Sequence, residues 1–133
     1  MNKILVVDDD YLIRLLYQME LEEEGYNVTS ADDFSFLFEL IEDERPDVIL
    51  MDIGVGEKCG LDTLRRIRET FSDIAVVIYS ARELRRYDTK AIDADCFVKK
   101  DVDLRGLKST VKTALANLRE GSEGRCLPLL QVA

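Results

Sequence analysis

The unbroken apolar run Ile74-Ala75-Val76-Val77-Ile78-Tyr79 limits what this chain can fold into more than any other stretch. A strand with one wet face alternates apolar and polar side chains, and this run has no polar position, so both of its faces must be covered. Val48-Ile49-Leu50-Met51 repeats the pattern, and Lys3 to Val7 is a third short apolar run, closed by acids. Strands hidden on both sides belong to a parallel sheet layered between helices.

The segments between these runs carry helical spacing. Leu12, Leu15, Leu16 and Met19 mark a first helix that Gly25 stops. Asn27 to Ala31 reads as a short second strand, and Phe34, Leu37, Phe38 and Ile41 as a helix ended before Pro46. A third helix turns Leu61, Leu64, Ile67 and Phe71 inward and Arg65, Arg66 and Arg68 outward. Arg82 to Ile92 is a weakly amphipathic basic helix, Cys96 to Val98 a fifth strand, and Leu104, Leu107, Val111, Ala114 and Leu118 the inner stripe of a last helix. The alternation predicts an α/β fold: a single doubly wound, five-stranded parallel sheet with helices on both faces. Right-handed crossovers reduce the possible strand orders to a few. Residues 1–119 are expected to form the domain, and 120–133 a C-terminal tail or linker carrying Leu127-Pro128-Leu129-Leu130.

Composition narrows the function classes. A chain of 133 residues is one domain of ordinary size. Its net charge of −9 argues against direct nucleic-acid binding, which rests on cations neutralising phosphates. Nothing resembles a signal peptide, and no run is long enough for a bilayer, so no membrane partner is expected. Cys59, Cys96 and Cys126 form no CxxC pair and read as reduced thiols of a cytoplasmic protein. The chain has no histidine, which excludes His-based catalysis and His-ligated metal.

Polar residues gather where the strands end. Strand one runs into Asp8-Asp9, strand three into Asp52, strand four into Ser80 and strand five into Lys99. In a parallel sheet these ends share one side, and ligands bind in the crevice beyond them. Three carboxylates there would repel one another, and a cation relieves that. Oxygen ligands in small number suit Mg2+, which keeps waters and bridges to phosphates. A hydroxyl and an ammonium opposite would serve a phosphoryl group. Each residue also has an ordinary structural reading: Asp52 as a turn acid, Asp8 or Asp10 as a helix cap, Ser80 as a cap and Lys99 as a surface charge. Four coincidences at strand ends favour the joint site.

The motifs Ile4-Leu5-Val6-Val7-Asp8-Asp9, Val48-Ile49-Leu50-Met51-Asp52, Gly60 to Arg68, Val76-Val77-Ile78-Tyr79-Ser80-Ala81 and Ala94 to Lys99 together resemble a response-regulator receiver domain, over roughly residues 3 to 119. The resemblance implies the flavodoxin-like strand order 2-1-3-4-5. It implies that Asp52 accepts a phosphoryl group from a sensor histidine kinase or phosphotransfer protein, in a two-component system. Asp9, Asp52 and the Gly54 carbonyl would ligate Mg2+, with Asp8 acting through water. Lys99 would pair with the phosphoryl oxygens, and Ser80 would hydrogen-bond the group and move on activation. The output would be a changed docking surface for a downstream protein target or output domain. Such a domain is a phosphoacceptor that promotes its own phosphorylation and dephosphorylation, not an enzyme.

Three positions depart from the family pattern. Cys96 stands where the switch aromatic is usual, Lys100 where a proline follows the lysine, and Gly56 where a proline follows the acceptor. A thiol cannot swing a ring in response to Ser80, so the chemistry is expected to be intact and the transmission altered. The basic helix with Arg82, Arg85, Arg86 and Lys90, together with the last strand and helix, is the expected docking face, and a merely solvated charged face is the plain alternative for the basic patch. Two other functions stay open. One is an interaction module that does not use phosphorylation. The other is a phosphatase of the haloacid-dehalogenase type, in which Asp8 of Asp8-Asp9-Asp10 would be the nucleophile.

Overall fold

The computed structural model describes residues 2–52, 60–80, 96–99 and 104–119. Five strands, β1 (Lys3–Val7), β2 (Asn27–Ala31), β3 (Val48–Asp52), β4 (Ala75–Ser80) and β5 (Cys96–Lys99), form one sheet. The order is β2-β1-β3-β4-β5, and every pairing is parallel. The helices are α1 (Tyr11–Glu23), α2 (Leu37–Glu44), α3 (Gly60–Thr70) and α4 (Arg105–Arg119). This is the doubly wound, flavodoxin-like fold expected from the alternation, with the expected order. The basic segment 82–92 and the tail 120–133 lie outside the described residues.

Strand alternation splits the core in two. Ile4, Val6, Val48, Leu50, Ala75, Val77 and Tyr79 face Tyr17 and Leu21 of α1 and Leu107, Val111 and Ala114 of α4. The intervening residues Leu5, Val7, Ile49, Met51, Val76 and Ile78 face Leu37 and Ile41 of α2 and Leu64, Ile67 and Phe71 at α3. All of these strand side chains are buried, which is why the runs could carry no polar residue. Lys108 ties the first face together from outside, with Nζ 2.8 Å from Glu20 and 3.5 Å from Glu24.

Local chemistry sets the helix ends. Asp10 caps α1, its side chain accepting from the N–H groups of Leu12 and Ile13. Gly25, at φ +94°, turns the chain after α1 in a conformation open to glycine. Arg45 takes the left-handed conformation after α2, just ahead of Pro46, and its N–H closes on the Ile41 carbonyl. Among the described residues, no helix is long and apolar enough to cross a membrane.

The residues whose spacing marks α1 in the sequence are not its buried face. Leu12 and Met19 are 70% and 58% exposed, and Leu15 and Leu16 are exposed as well. The buried row is Tyr17 and Leu21, with Ile13 half-buried, at a spacing of four. Two apolar stripes share this helix, and the richer in leucine is the outer one. The sheet selects the inner stripe, because a tyrosine can bury its ring while its hydroxyl finds a partner. Truncation distinguishes the stripes: Leu21→Ala is expected to lower stability by about 2–5 kcal/mol, whereas Leu12→Ala should stay within about 0.5 kcal/mol. Urea unfolding of the two variants checks this.

Candidate functional site

The site is assembled by register. Val7 of β1 pairs with Met51 of β3, so Asp8 and Asp52 follow at the same level on neighbouring strands. Asp52 in turn pairs with Tyr79 of β4, and Ser80 pairs with Lys99 of β5. By alternation Asp8 and Asp52 share the sheet face of Val6 and Leu50, the face that α1 covers. The turn from β1 into α1 then brings Asp9 to the same place. Asp8, Asp9 and Asp52 each offer a carboxylate oxygen, and these oxygens lie within 4.8 Å of one another. The three acids singled out in the sequence do form one cluster, and it could bind a metal.

Burial grades the three. Asp8 is fully buried, Asp52 half-buried and Asp9 exposed. Both Asp8 oxygens are held: Oδ1 accepts the Asp10 N–H at 2.8 Å, and Oδ2 accepts the Tyr79 hydroxyl at 2.8 Å. The Asp8 backbone is fixed too, its N–H donating to the Ala31 carbonyl at 3.1 Å and its carbonyl accepting from Arg14 Nη1 at 2.7 Å. Asp10 belongs to the helix and not to the cluster, since its Oδ1 accepts from Leu12 N–H at 2.9 Å and Ile13 N–H at 3.4 Å.

Tyr79 is the residue the sequence reading missed. It was an apolar member of the β4 run, yet its ring lies edge-on to Tyr17, with centroids 5.3 Å apart, and its hydroxyl reaches Asp8. Because β3 lies between β1 and β4, that side chain crosses a whole strand to get there. Burial above all, and then the negative charge of Asp8, push its pKa far above the ordinary tyrosine value, so the phenol keeps its proton and donates. The available signal was a hydroxyl in a run otherwise free of polar atoms, since a buried hydroxyl needs a partner.

The remaining expected site residues are placed by backbone only. Ser80 and Lys99 sit side by side at the ends of β4 and β5, and Cys96 begins β5 opposite Val77. Their side chains, with Gly54, Gly56 and Lys100, lie outside the described residues, as do Arg82, Arg85, Arg86 and Lys90.

Charge explains what the cluster is suited to. Carboxylates gathered this closely repel one another when ionised, and a cation held among them would relieve that.

The sequence between residues 4 and 112 matches the family model of the response regulator receiver domain. The chain belongs to that family. It is 36% identical over 117 residues to the transcriptional regulatory protein CpxR of Escherichia coli (strain K12), covering 86% of this chain and 50% of the relative. It is 33% identical over 113 residues to the transcriptional regulatory protein KdpE of Staphylococcus aureus, covering 84% of this chain and 48% of the relative. The receiver thus spans about half the length of these curated relatives. Among solved structures it resembles the response regulator TrrA of Thermotoga maritima in complex with Mg2+-BeF, at 32% identity and a TM-score of 0.78, over 86% of this chain and 100% of the other. It also resembles a receiver domain protein of Methanospirillum hungatei, at 25% identity and a TM-score of 0.83, over 92% and 99%.

The receiver's capping acid can be separated from its cluster. Asp10→Ala is expected to lower stability by about 1 kcal/mol, and Asp10→Asn, which keeps the acceptor oxygen, should recover most of the loss. Thermal unfolding of both variants checks this.

Proposed function

We propose that this receiver is a phosphorylation switch of a two-component system: Asp52 accepts a phosphoryl group in a Mg2+-dependent reaction, and the modified domain docks differently on a downstream partner. The observation that carries the reading is the graded acid cluster. Its donors are all oxygen, and two of its three acids can be reached from outside. That set fits a hard divalent ion that retains waters, with Asp9 and Asp52 as direct ligands and Asp8, whose two oxygens are already engaged, acting through water. When bound, the ion would neutralise charge on the cluster and on the incoming phosphoryl oxygens. The Gly54 carbonyl completes the proposed ligand set.

Of the three acids, Asp52 combines partial exposure with a position on a rigid central strand. In the proposed reaction its carboxylate oxygen attacks the phosphorus of a donor phosphohistidine. The phosphorus–nitrogen bond breaks, and the nitrogen keeps the electron pair. Ser80 and Lys99 are assigned to the phosphoryl oxygens from the neighbouring strand ends. Water attack on the aspartyl phosphate later returns free phosphate and resets the switch. The domain contributes to both steps without being an enzyme toward a separate substrate, and we place it in the cytoplasm beside its kinase. A haloacid-dehalogenase-type reaction would need Asp8 as nucleophile, and a fully buried carboxylate with both oxygens hydrogen-bonded is poorly presented for attack.

The donor protein must approach the end of the sheet where Asp9 and Asp52 lie. The exposed stripe of α1 with Tyr11, Leu12, Leu15 and Met19 begins two residues beyond Asp9 and offers apolar surface there. An exposed apolar patch rimmed by charge marks a binding face. The downstream target is assigned to the basic segment with Arg82, Arg85, Arg86 and Lys90, together with Cys96.

Two experiments test the reading. Incubation with acetyl phosphate and Mg2+ should add one phosphoryl group to the wild type and none to Asp52→Ala, read as intact mass. No adduct, together with no beryllofluoride binding, would refute the switch, and an adduct retained in Asp52→Ala would move the acceptor to Asp8 or Asp9. Leu12→Glu should slow transfer from the cognate kinase on the order of tenfold, as for an interface anchor, while phosphorylation by acetyl phosphate stays at the wild-type rate. Equal slowing with both donors would remove α1 from the docking face.

A further inference from the structure

Asp8 is an unusual member of the acid cluster. It is the one fully buried acid of the three, and burial leaves a carboxylate dependent on the donors the protein supplies. One donor, the Asp10 N–H, comes from the backbone at the start of α1 and would be present with almost any residue there. Another is a side chain: the Tyr79 hydroxyl, 2.8 Å from Oδ2. The same hydroxyl lies 3.3 Å from the Val7 carbonyl, a longer contact to an uncharged acceptor. The single phenolic proton is therefore directed at the charged oxygen, where a hydrogen bond is stronger. The ring is held in turn, buried in the sheet face and edge-on to Tyr17 of α1. Few degrees of freedom remain for Asp8: each oxygen is bonded, and the group bonded to Oδ2 is itself locked by packing.

We infer that Tyr79 is a positioning residue for the cation site, its hydroxyl reaching across β3 to fix the Asp8 carboxylate in the orientation from which it supports a metal held by Asp9 and Asp52. This inference rests on the reading of the cluster as a Mg2+ site. Tyr79 touches neither metal nor phosphoryl group; it acts through Asp8. A ligand's outer partner orients it and sets how much of its charge is offered to the ion, and losing such a partner weakens metal affinity by about 10–100-fold. With phenylalanine at 79 the ring would still fill its place, but Oδ2 would be buried without that donor. The carboxylate would then turn away from the cluster or draw in a water, and neither arrangement presents it as before. The connection also runs outward. A change at Asp8 on metal binding alters the hydrogen bond of a ring packed on Tyr17, so the site is mechanically joined to the helix that carries the exposed apolar stripe.

The test is Mg2+ binding to the full chain by isothermal titration calorimetry, paired with near-ultraviolet difference spectra. The chain has no tryptophan, so its tyrosines report directly. Wild type should bind Mg2+ and show a tyrosine difference signal on binding; Tyr79→Phe should bind on the order of tenfold more weakly and lose that signal. Leu21→Ala is the control for a purely structural role, since it opens the same core cluster while leaving both Tyr17 and the Tyr79 hydroxyl in place. It should lose stability and keep wild-type Mg2+ affinity. Unchanged affinity in folded Tyr79→Phe, or weakening in Leu21→Ala equal to that in Tyr79→Phe, would overturn the positioning role and leave the cation site standing. If Tyr79→Phe does not fold, the wild-type difference signal decides: its absence on Mg2+ binding overturns the role. Absence of any Mg2+ binding by the wild type would overturn both the site and this inference.

Discussion

Everything functional in this receiver depends on strand register, and register depends on burial of both sheet faces. In a strand with period two, a slip by one residue exchanges the faces of every side chain. Here both faces are apolar, so a slip would cost less in hydrophobic burial than in an amphipathic sheet. It is punished instead by shape, since one face is packed by α1 and α4 and the other by α2 and α3. It is punished as well by the polar residues at the strand ends. Moved inward by one position, Asp8 would lose the Asp10 N–H and the Tyr79 hydroxyl that hold it, and Asp52 would enter a core of mostly apolar side chains. The acids that make the site thus also help to end the strands that position it.

The start of α1 serves two requirements at once. A helix N-terminus leaves N–H groups without intrahelical partners, and Asp10 satisfies two of them through its side chain while its own N–H binds Asp8. Consecutive aspartates therefore divide their labour by geometry: Asp8 is an inward acceptor, Asp9 an outward one and Asp10 a cap. Had the three been equivalent, their mutual repulsion would have opened the turn. The division takes the charge of Asp10 out of the cluster and gives it to the partial positive charge of the helix end, where an acid is stabilising.

Much of this architecture was legible in the sequence because period and burial are coupled. β1 and β2 match the expected ranges, β3 and β5 each extend by one residue to include Asp52 and Lys99, and β4 is shifted by one, leaving out Ile74 and taking in Ser80. The clustering of Asp8, Asp9 and Asp52 followed from the common direction of parallel strand ends. What could not be read was the choice between competing faces. On α1, two stripes satisfy helical spacing, and only the position of the sheet decides that Tyr17 and Leu21 go in while Leu12 and Met19 stay out. Tyr79 was hidden for a related reason. Its aromatic body fits a buried run as well as leucine would, and the partner of its hydroxyl lies 71 positions away in sequence and two strands over.

The gradient from buried Asp8 to exposed Asp9 suits the cluster to the proposed switch better than to a fixed salt site. A cation held by three equally buried acids would be desolvated and slow to leave; one held by three exposed acids would be screened by salt and weak. In the observed arrangement the buried acid supplies a charge that solvent cannot screen, and the protein stabilises that charge by hydrogen bonds it does not have to rearrange. The exposed acid would leave a bound ion open to water and to an incoming ligand. Asp52, between them in burial and next to both, is the carboxylate whose environment an added charge would change most. Its strand partner is Tyr79, whose ring already joins the buried acid to α1. A charge placed on Asp52 is therefore adjacent, through packed side chains, to the helix whose apolar stripe faces outward.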